Sequence, residues 1–572
     1  MAAAVSRRTV LAATGSSVVA AALPSCAPVD ALAHIGGAFV GVAQERGHRL
    51  RAEGKAGAAG PDTYPGTGGL PERRTRVLVV GAGVAGLALA RTLRLRGRDA
   101  DLTLLELEDQ PGGNSRAGAV RGVPCPLGAH YLPLPGDAAP GVQDLLTELG
   151  LGQRQHGRWG LTPAGERHLC HSPQERLYLN GQWQDGLLPL HGATPDTLRQ
   201  YQGFAAAVAR AQQRAAFVVP MPFLQQKMAC RQFHQALDAM TFEAWLHQEA
   251  LTDPWLRWYL DYCCRDDYGA GIGQVSAWAG LHYFASRHGF VAPRSAAAAD
   301  PDEDGEAHVR AGLAGGVLTW PEGNGWLTQR LAAPLGARLR GGRVVQRVAV
   351  ERHGVVVDAW SAREGQWERW RADTCVLAVP LLVAARLLDP VPPALQAALQ
   401  VLRYAPWLVA NLHLSAPLDD RGGAAPSWDN VLFDQPRDSA PGAGLGYVDA
   451  THQRLSPQPG PTVLTHYRSF GIDPSARRWL ADQPWTTWRD AIVRELSQAH
   501  PDLAARTTHM DCMRYGHAMA VPTPGLLAHP AMAALRATPA AGARLHLAHS
   551  DLSGYSVFEE AFAWGERVGA RL

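Results

Sequence analysis

Lysine is almost absent from this sequence of 572 residues, which contains only Lys55 and Lys227. The formal net charge is +2, so the chain shows no basic footprint for nucleic acid. The eight cysteines form no C-x-x-C pair and are too few for a disulfide scaffold. Neither H-E-x-x-H nor G-x-S-x-G occurs, so neither a zinc protease nor an α/β-hydrolase is supported, and no metal site is expected.

Long apolar runs are missing beyond the N-terminus. The most apolar later stretch, 375–388, is short and contains Pro380 and Arg386, so we predict no membrane span there. Apolar residues nevertheless make up 46% of the chain, which is enough for sizeable hydrophobic cores. The composition is typical of a large folded protein.

The N-terminus has the pattern of an export signal. The stretch SRRTVL (6–11) places two arginines before a short apolar segment at 11–23, which predicts a twin-arginine signal within residues 1–33. Two cleavage sites compete: LPSC would leave a lipidated Cys26, and ALA would allow cleavage after Ala33. We favour lipidation because Ala33 lies far from the apolar segment. The expected location is the periplasm, with a lipid anchor to the membrane if Cys26 is modified.

A glycine motif follows a Gly/Pro-rich stretch, 57–74, whose composition predicts a flexible linker. The unit TRVLVVGAGVAGLALARTLRLRG (75–97) predicts a buried strand, a tight turn and a helix. Gly81 permits the turn, Gly83 allows the backbone to approach a pyrophosphate, and Gly86 allows close packing of helix on strand. The N-terminus of that helix would then face the phosphates with its partial positive charge.

The next predicted strand supplies the acidic residue that this motif requires. DLTLLELE (101–108) places Glu106 about 20 residues beyond Gly86, where a carboxylate can hold a ribose 2′-hydroxyl. Together with the glycines, Glu106 predicts a dinucleotide-binding site. The motif alone does not distinguish one dinucleotide from another.

The residues after this strand narrow the choice of dinucleotide. QPGGNSR (110–116) places a second glycine pair directly after the Glu106 strand. This pattern resembles the E-x(5-6)-GG(R) signature of the flavin amine oxidase superfamily, which includes monoamine and polyamine oxidases, protoporphyrinogen oxidase and phytoene desaturase-like enzymes. The family's arginine after the pair is Asn114 here, and we expect Arg116 to take over its role beside the phosphates.

Further segments resemble the family in the same order along the chain, and this order implies FAD as cofactor. They are PLGAHYLPLPG (126–136), 318–336, 341–360, TCVLAVP (374–380) and 545–572. The resemblance implies these cofactor-binding residues: Gly81, Gly83, Ala85, Gly86, Glu106, Gly112, Gly113, Asn114, Arg116, Gly128, Ala129, His130, Val344, Val345, Ala378, Asp551, Phe558 and Glu559.

The C-terminal segment both matches the family and departs from it. Asp551 matches the acid that holds the ribityl chain. Phe558 and Glu559 match the start of a helix whose N-terminus lies against the flavin N1/O2 edge, where its dipole stabilises negative charge. His549 and Glu560 each stand where the family has glycine.

The resemblance also implies the fold: an α/β Rossmann-type FAD-binding domain with a parallel sheet, and an inserted α+β substrate domain with an antiparallel sheet and helices. The predicted ranges are 34–74 for an N-terminal arm and linker, 75–150, 308–400 and 511–572 for the FAD-binding domain, and 151–307 and 401–510 for the substrate domain. FAD is inserted in the cytoplasm, so export of a folded flavoprotein fits the twin-arginine signal.

Catalytic residues are harder to predict. His130 could transfer a proton near the flavin, although a buried structural histidine is the alternative. Tyr555 resembles a tyrosine that walls the amine in monoamine oxidases, although a packed aromatic is equally compatible. Many amine oxidases carry a lysine that holds a water against flavin N5. The matching position falls near Leu408 or Val409, and neither is lysine.

Three functions are compatible with these observations. The first is an exported FAD-dependent oxidoreductase that oxidises an amine, with polyamines as candidates, by hydride transfer to flavin N5. The second is a desaturase or protoporphyrinogen-oxidase-like enzyme acting on a large apolar substrate. The third is a flavin-binding partner protein with little turnover. The electron acceptor stays open between a quinone, a carrier protein and oxygen. An acidic cavity would favour amine oxidation. A long dry tunnel would favour the desaturase-like function, and the absence of a cavity would favour the partner protein with little turnover.

Overall fold

A computed structural model describes most of the chain beyond the N-terminal segment. The described residues are 30–52, 64, 66, 69–170, 174–221, 228–287, 289–293, 316–433, 442–450, 452, 459–537 and 543–572. The predicted twin-arginine stretch, Cys26, Lys55 and Lys227 all lie outside these residues. Among the helices that the structure describes, none is long and apolar enough to cross a bilayer.

A seven-stranded sheet holds the glycine motif at its centre. The run of branched apolar residues before Gly81 forms the strand Glu72–Val80, whose last four residues are buried, as expected of a central parallel strand. In spatial order the strands are Leu339–Arg340, Leu102–Leu105, Glu72–Val80, Gln366–Leu377, Gly354–Ser361 and Arg343–Glu351, with Leu545–Leu547 also paired to Gln366–Leu377. The pairs around Glu72–Val80 are parallel, whereas Arg343–Glu351, Gly354–Ser361 and Gln366–Leu377 are joined antiparallel.

Two helices pack closely against each other beside this sheet. Val84–Leu95 follows the glycine turn and is buried along most of its length, and the C-terminal helix Phe558–Arg571 lies against it. Gly565 makes the close approach possible, because a Cβ atom there would lie 2.9 Å from Ala88 Cβ and 3.0 Å from the Ala85 carbonyl carbon. The glycine motif and the C-terminal motif are thereby fixed relative to each other.

An eight-stranded sheet forms the other half of the molecule. In spatial order its strands are Gly36–Phe39, Thr507–Ala520, Tyr404–Leu414, Thr462–Ser469, Ala443–Asp449, Asp429–Leu432, Glu175–Leu179 and Gln182–Asp185. Its central pairs are antiparallel, and Tyr404–Leu414 is buried at every position. Together the two sheets and the surrounding helices make a mixed α/β fold, in agreement with the predicted class.

Two of the predicted domain ranges do not match the strands of this sheet. Residues 34–74 were expected to be an arm and linker, but Gly36–Phe39 pairs in parallel with His509 to Cys512. Because that short strand is held by pairing with a distant segment, its own sequence gives little indication of it. The boundary at 511 falls inside the strand Thr507–Ala520, so that the whole strand belongs to the eight-stranded sheet.

Helices from the first insertion pack around a tryptophan-rich core beside the eight-stranded sheet. They are Pro195–Arg214, Met228–Asp238, Phe242–Gln248, Pro254–Tyr268 and Ala277–Ala285. Thr194, Thr241, Asp253 and Ser276 cap four of their N-termini with side-chain oxygens. Trp278 is fully buried at the centre of this core, so the aromatic residues of this insertion are mainly packing residues.

The remaining helices and ribbons surround these two sheets. The helices are Gln44–Ala52, Pro140–Glu148, Pro163–Glu166, Gly325–Ala332, Leu381–Leu387, Pro393–Val401, Pro474–Asp482, Trp485–Leu496, Leu503–Arg506 and Pro530–Arg536, with 3-10 turns at Gly113–Ser115, Ala333–Arg338 and Ser550–Leu552. Three two-stranded ribbons pair Ala117–Val120 with Val123–Pro126, Tyr131–Pro133 with Val317–Thr319, and Gly152–Gln155 with Arg158–Leu161.

Candidate active site

One cavity of about 560 Å³ runs from the glycine motif to the eight-stranded sheet. It brings together sixteen of the eighteen predicted cofactor-binding residues: Gly81, Gly83, Ala85, Glu106, Gly112, Gly113, Asn114, Arg116, Gly128, Ala129, His130, Val345, Ala378, Asp551, Phe558 and Glu559. The other two, Gly86 and Val344, do not line it. Residues from four separate stretches of sequence thus meet in one place.

The glycine turn forms a cradle that side chains would fill. Gly81 has a φ of +100°, and a Cβ atom there would lie 2.8 Å from Val379 Cγ1. A Cβ atom on Gly83 would meet only Gly113 Cα, at 3.8 Å, so a larger side chain would extend into the cavity itself. Gly86 has the packing role predicted for it, because a Cβ atom there would lie 3.2 Å from the carbonyl carbon of Gly81.

The Glu106 carboxylate lies at one end of the cavity. Its two oxygens accept hydrogen bonds from the Ala82 amide at 2.7 Å and the Glu108 amide at 3.0 Å. Burial raises the pKa of Glu106, and these two amides and Arg116 oppose the rise. Arg343 and Val345 line the same region, whereas Val344 packs against Trp360 and Trp367.

The second glycine pair places a guanidinium beside the cradle. Arg116 donates from Nε to the Gly113 carbonyl at 3.0 Å, and its Nη1 lies 3.3 Å from the Glu108 carboxylate. The Asn114 side chain donates to the Ala518 carbonyl at 2.7 Å, which ties this turn to the eight-stranded sheet. Arg116, rather than Asn114, therefore provides positive charge at the glycine pair.

Asp551 is held as a buried carboxylate. It accepts hydrogen bonds from the Tyr404 hydroxyl at 2.6 Å and the Leu381 amide at 2.9 Å, and His549 Nδ1 lies 3.1 Å from its other oxygen. Burial opposes ionisation, but His549, Tyr404 and the Leu381 amide outweigh it and lower the pKa of Asp551 below its ordinary value. His549 thus has a defined role where the family has glycine.

These residues fit a flavin dinucleotide. The cradle at Gly83 suits a pyrophosphate, Arg116 suits its negative charge, and Glu106 suits a ribose hydroxyl. Asn324 also lines the cavity: its Nδ2 donates to the Tyr131 carbonyl at 2.8 Å, and its Oδ1 is buried without a partner in the described part of the chain. An unpaired buried acceptor is costly, so this atom is suited to a donor from a bound ligand.

Aromatic side chains surround the opposite end of the cavity. The His130 ring stacks on the Tyr467 ring with centroids 4.5 Å apart and lies 4.9 Å from the Tyr131 ring. Trp407 and Val409 from the eight-stranded sheet complete this wall. Burial lowers the pKa of His130 to about 3, so the imidazole is neutral at physiological pH.

Three charged residues at this end were missed by the sequence analysis. Asp266 and Asp267, on the last turn of the helix Pro254–Tyr268, line the cavity with Arg287. Arg287 lies 3.6 Å from the Asp267 carboxylate. Two acids at a helix C-terminus oppose the helix dipole, and this unfavourable placement was the local indication of a special role for RDDY (265–268).

The position of Tyr555 differs from the prediction that it walls the substrate. Its side chain is 1% exposed, does not line the cavity, and donates a hydrogen bond to Glu560 in the interior. The same carboxylate accepts from the Met221 amide at 2.7 Å and from Ser553. The turn at Ser550–Leu552 and the extra residues before the C-terminal helix carry Tyr555 away from the site. Glu560, the second departure from the family, thereby has a structural role.

Comparison with known proteins agrees with this geometry. The model of the flavin containing amine oxidoreductase family matches residues 84–572. The chain belongs to this family. It is an FAD-dependent oxidoreductase, and the lining of the cavity that contains Gly83, Glu106 and Asp551 fits that cofactor.

Several individual proteins are similar to it. Coproporphyrinogen III oxidase of Mycobacterium tuberculosis is 29% identical over 359 residues, which cover 62% of this chain and 68% of that protein. Putrescine oxidase bound to putrescine superposes with a TM-score of 0.62 at 18% identity, covering 87% of this chain and 99% of that one. Cyclohexylamine oxidase from Brevibacterium oxydans gives 0.58 at 19% identity, covering 87% and 98%. At these identities the two structures show the shared fold.

Proposed function

We propose that this oxidoreductase oxidises an amine, with diamines and polyamines as the leading candidates. The acidic, aromatic end of the cavity carries the proposal. Asp266 and Asp267 line the cavity, and the guanidinium of Arg287, which also lines it, lies 3.6 Å from the Asp267 carboxylate. An ammonium group would balance this charge, whereas a neutral apolar substrate would leave the carboxylates uncompensated.

Two more carboxylates stand behind this wall. Glu175 and Asp429 are register partners on parallel strands, so their like charges lie side by side. Burial and the Asp185 charge raise the pKa of Glu175 to about 7, and burial, Asp266 and Glu175 raise that of Asp429. A bound cation would favour the ionised forms of these groups. The acidic side chains of the lining itself are Asp266 and Asp267, and they favour an amine site over an apolar tunnel.

The residues of this chain divide the work between cofactor and substrate. The turns at Gly83 and Gly113 with Arg116 would hold the pyrophosphate, Glu106 the ribose and Asp551 the ribityl chain. When bound, FAD supplies the hydride acceptor at N5. The aromatic wall of His130 and Tyr467 excludes water from the reacting carbon and orients the amine.

A second candidate function is oxidation of a large cyclic tetrapyrrole. The name of the coproporphyrinogen III oxidase relative gives that protein a substrate of this kind. The support for this candidate is the 29% identity over 359 residues. The aromatic wall is compatible with such a substrate. The acidic groups are not, because propionate side chains would be repelled by Asp266 and Asp267. We therefore rank amine oxidation first.

The test is an anaerobic titration of the purified flavoprotein. We expect a panel of monoamines, diamines and polyamines to bleach the oxidised flavin bands, with aldehyde formed in proportion. Coproporphyrinogen serves as the comparator. Bleaching by the porphyrinogen but by none of the amines would replace the first candidate with the second.

We also propose that the protein is exported through the twin-arginine machinery as a folded flavoprotein and resides in the periplasm. The SRRTVL stretch supports export, and the alternatives of lipidated Cys26 and cleavage after Ala33 stay open.

Val409 lines the cavity near the position where many amine oxidases carry a lysine. This supports a quinone or a carrier protein, rather than oxygen, as electron acceptor.

A further inference from the structure

We propose that Asp266 is the group that removes a proton from the substrate ammonium before oxidation, and that Tyr131 positions it. The inference rests on the proposed amine oxidation and names a base for that reaction. An ammonium group has no lone pair with which to stabilise the positive charge that develops as hydride leaves the neighbouring carbon. A site that attracts the protonated amine therefore needs a nearby proton acceptor.

The position of Asp266 suits this role. Its side chain lines the cavity on the same wall as Tyr131 and His130. The Tyr131 hydroxyl interacts with the Asp266 carboxyl group and with the Arg287 guanidinium. The Tyr131 ring also contacts Trp428, with centroids 6.0 Å apart. Asp266 therefore borders the space that a ligand would occupy and also interacts with a fixed protein group, Tyr131.

Burial, together with neighbouring acidic groups, makes Asp266 unusually basic. Burial, then Asp267 and Glu175, raise the pKa of Asp266 to about 7, and Arg287 and Tyr131 oppose the rise. The titratable and charged groups that act on it or are acted on by it are Asp267, Arg287, Glu175, Tyr131, Asp429, Tyr262, Cys263, Tyr283 and Tyr467. A carboxyl group in this range accepts a proton far better than an ordinary aspartate and is still ionised in part at neutral pH.

The neighbouring candidates are less suited. His130, with its pKa near 3, is too weak a base. Asp267 is paired with Arg287 at 3.6 Å and is 7% exposed. Glu559 lines the cavity at the first turn of the C-terminal helix, and burial raises its pKa while Arg287 opposes the rise, but the residue is only 4% exposed. Among the described residues of this wall, Asp266 combines access with basicity.

The step transfers one proton and no electrons. An N–H bond of the substrate ammonium breaks, its electron pair stays on nitrogen, and the proton forms an O–H bond on the Asp266 carboxylate. The neutral amine that results is the species oxidised by hydride transfer in the proposed function. The ammonium charge disappears as the carboxylate charge disappears, so the net charge of the cavity does not change.

Two measurements test the inference on the full flavin-loaded protein. The first needs no substrate: the carboxylic-acid infrared band of Asp266 should titrate near neutral pH in the wild type and be missing from D266N. The second is the pH profile of the rate of flavin reduction by putrescine. We expect an acid limb near pH 7 in the wild type, and in D266N a loss of that limb with a rate about 10²–10⁴-fold lower.

D267N is the matched control, because it makes the same chemical change one residue away. Removing the Asp267 charge lowers the pKa of Asp266, so D267N should keep the acid limb and move it to lower pH. A carboxyl group with only a structural role would give D266N and D267N the same pH profile. Visible spectra verify that each variant retains its flavin.

The outcomes separate the two levels of the argument. An infrared titration lost in D266N, together with loss of its acid limb, supports the inference. An acid limb that persists in D266N overturns it and leaves amine oxidation standing. Absence of a titrating band near neutrality overturns it without any substrate. A flavin that no amine reduces overturns the proposed function, and with it the role of Asp266.

Discussion

Gly565 offers a direct test of how the C-terminal helix positions the cofactor site. Replacing it with alanine places a Cβ atom 2.9 Å from Ala88 Cβ and 3.0 Å from the Ala85 carbonyl carbon, well inside ordinary contact distance. The neighbour is backbone of the helix Val84–Leu95, so one helix must move. Overpacking of this severity costs about 3 kcal/mol, and the better helix propensity of alanine returns about 1 kcal/mol. We expect G565A to lose about 2 kcal/mol of unfolding free energy.

The same shift should weaken FAD binding, because Phe558 and Glu559 at the start of the moved helix line the cavity. Urea denaturation of the loaded protein measures the stability, and fluorescence titration of the apoprotein measures FAD affinity. G136A is the control, since a Cβ atom there meets nothing within 4 Å. Unchanged stability and unchanged FAD affinity in G565A would refute the packing argument.

Three further predictions follow from single residues. Gly83→Val should abolish FAD binding while far-ultraviolet circular dichroism stays native, because the side chain would occupy the cradle; retained yellow colour would contradict the assignment of this turn. Y555F should lower the unfolding free energy by about 1–3 kcal/mol, because Glu560 loses a buried hydrogen-bond donor. It should leave the rate of flavin reduction unchanged, and a slower reduction would indicate that Tyr555 acts in the active site. The pKa of His130 in the folded protein lies near 3, below its value in the unfolded chain, so its contribution to stability is complete above about pH 6.5 and falls as the pH drops toward 3. H130Q should flatten that part of the curve of unfolding free energy against pH. An unaltered curve would contradict a buried neutral His130.

The sequence predicted the cofactor half of the site better than the substrate half. Gly81, Gly83 and Glu106 follow from local geometry, because a strand, a tight turn and a helix bring them together within one supersecondary unit. Asp551 could be placed only through the family resemblance, yet it too lies beside a short, well-defined turn. These residues line the cavity as expected.

The substrate half depends on contacts between distant segments. Asp266, Arg287 and Tyr467 come from two insertions and meet only when the helices pack against the eight-stranded sheet. Each looks unremarkable in its own stretch of sequence. The Tyr555 prediction failed for a related reason: its register depended on an unrecognised turn and on the buried Glu560, which no local pattern reveals.

The central claim is that this flavoenzyme oxidises an amine that it binds as a cation, and one anaerobic comparison tests this most directly. Putrescine and butane-1,4-diol have the same chain length and differ in the charged groups that Asp266 and Asp267 would recognise. We expect putrescine to bleach the flavin with one aldehyde formed for each flavin reduced, and the diol to leave the spectrum unchanged. Equal bleaching by putrescine and by the diol would contradict the claim. So would a flavin that neither putrescine nor any other amine bleaches.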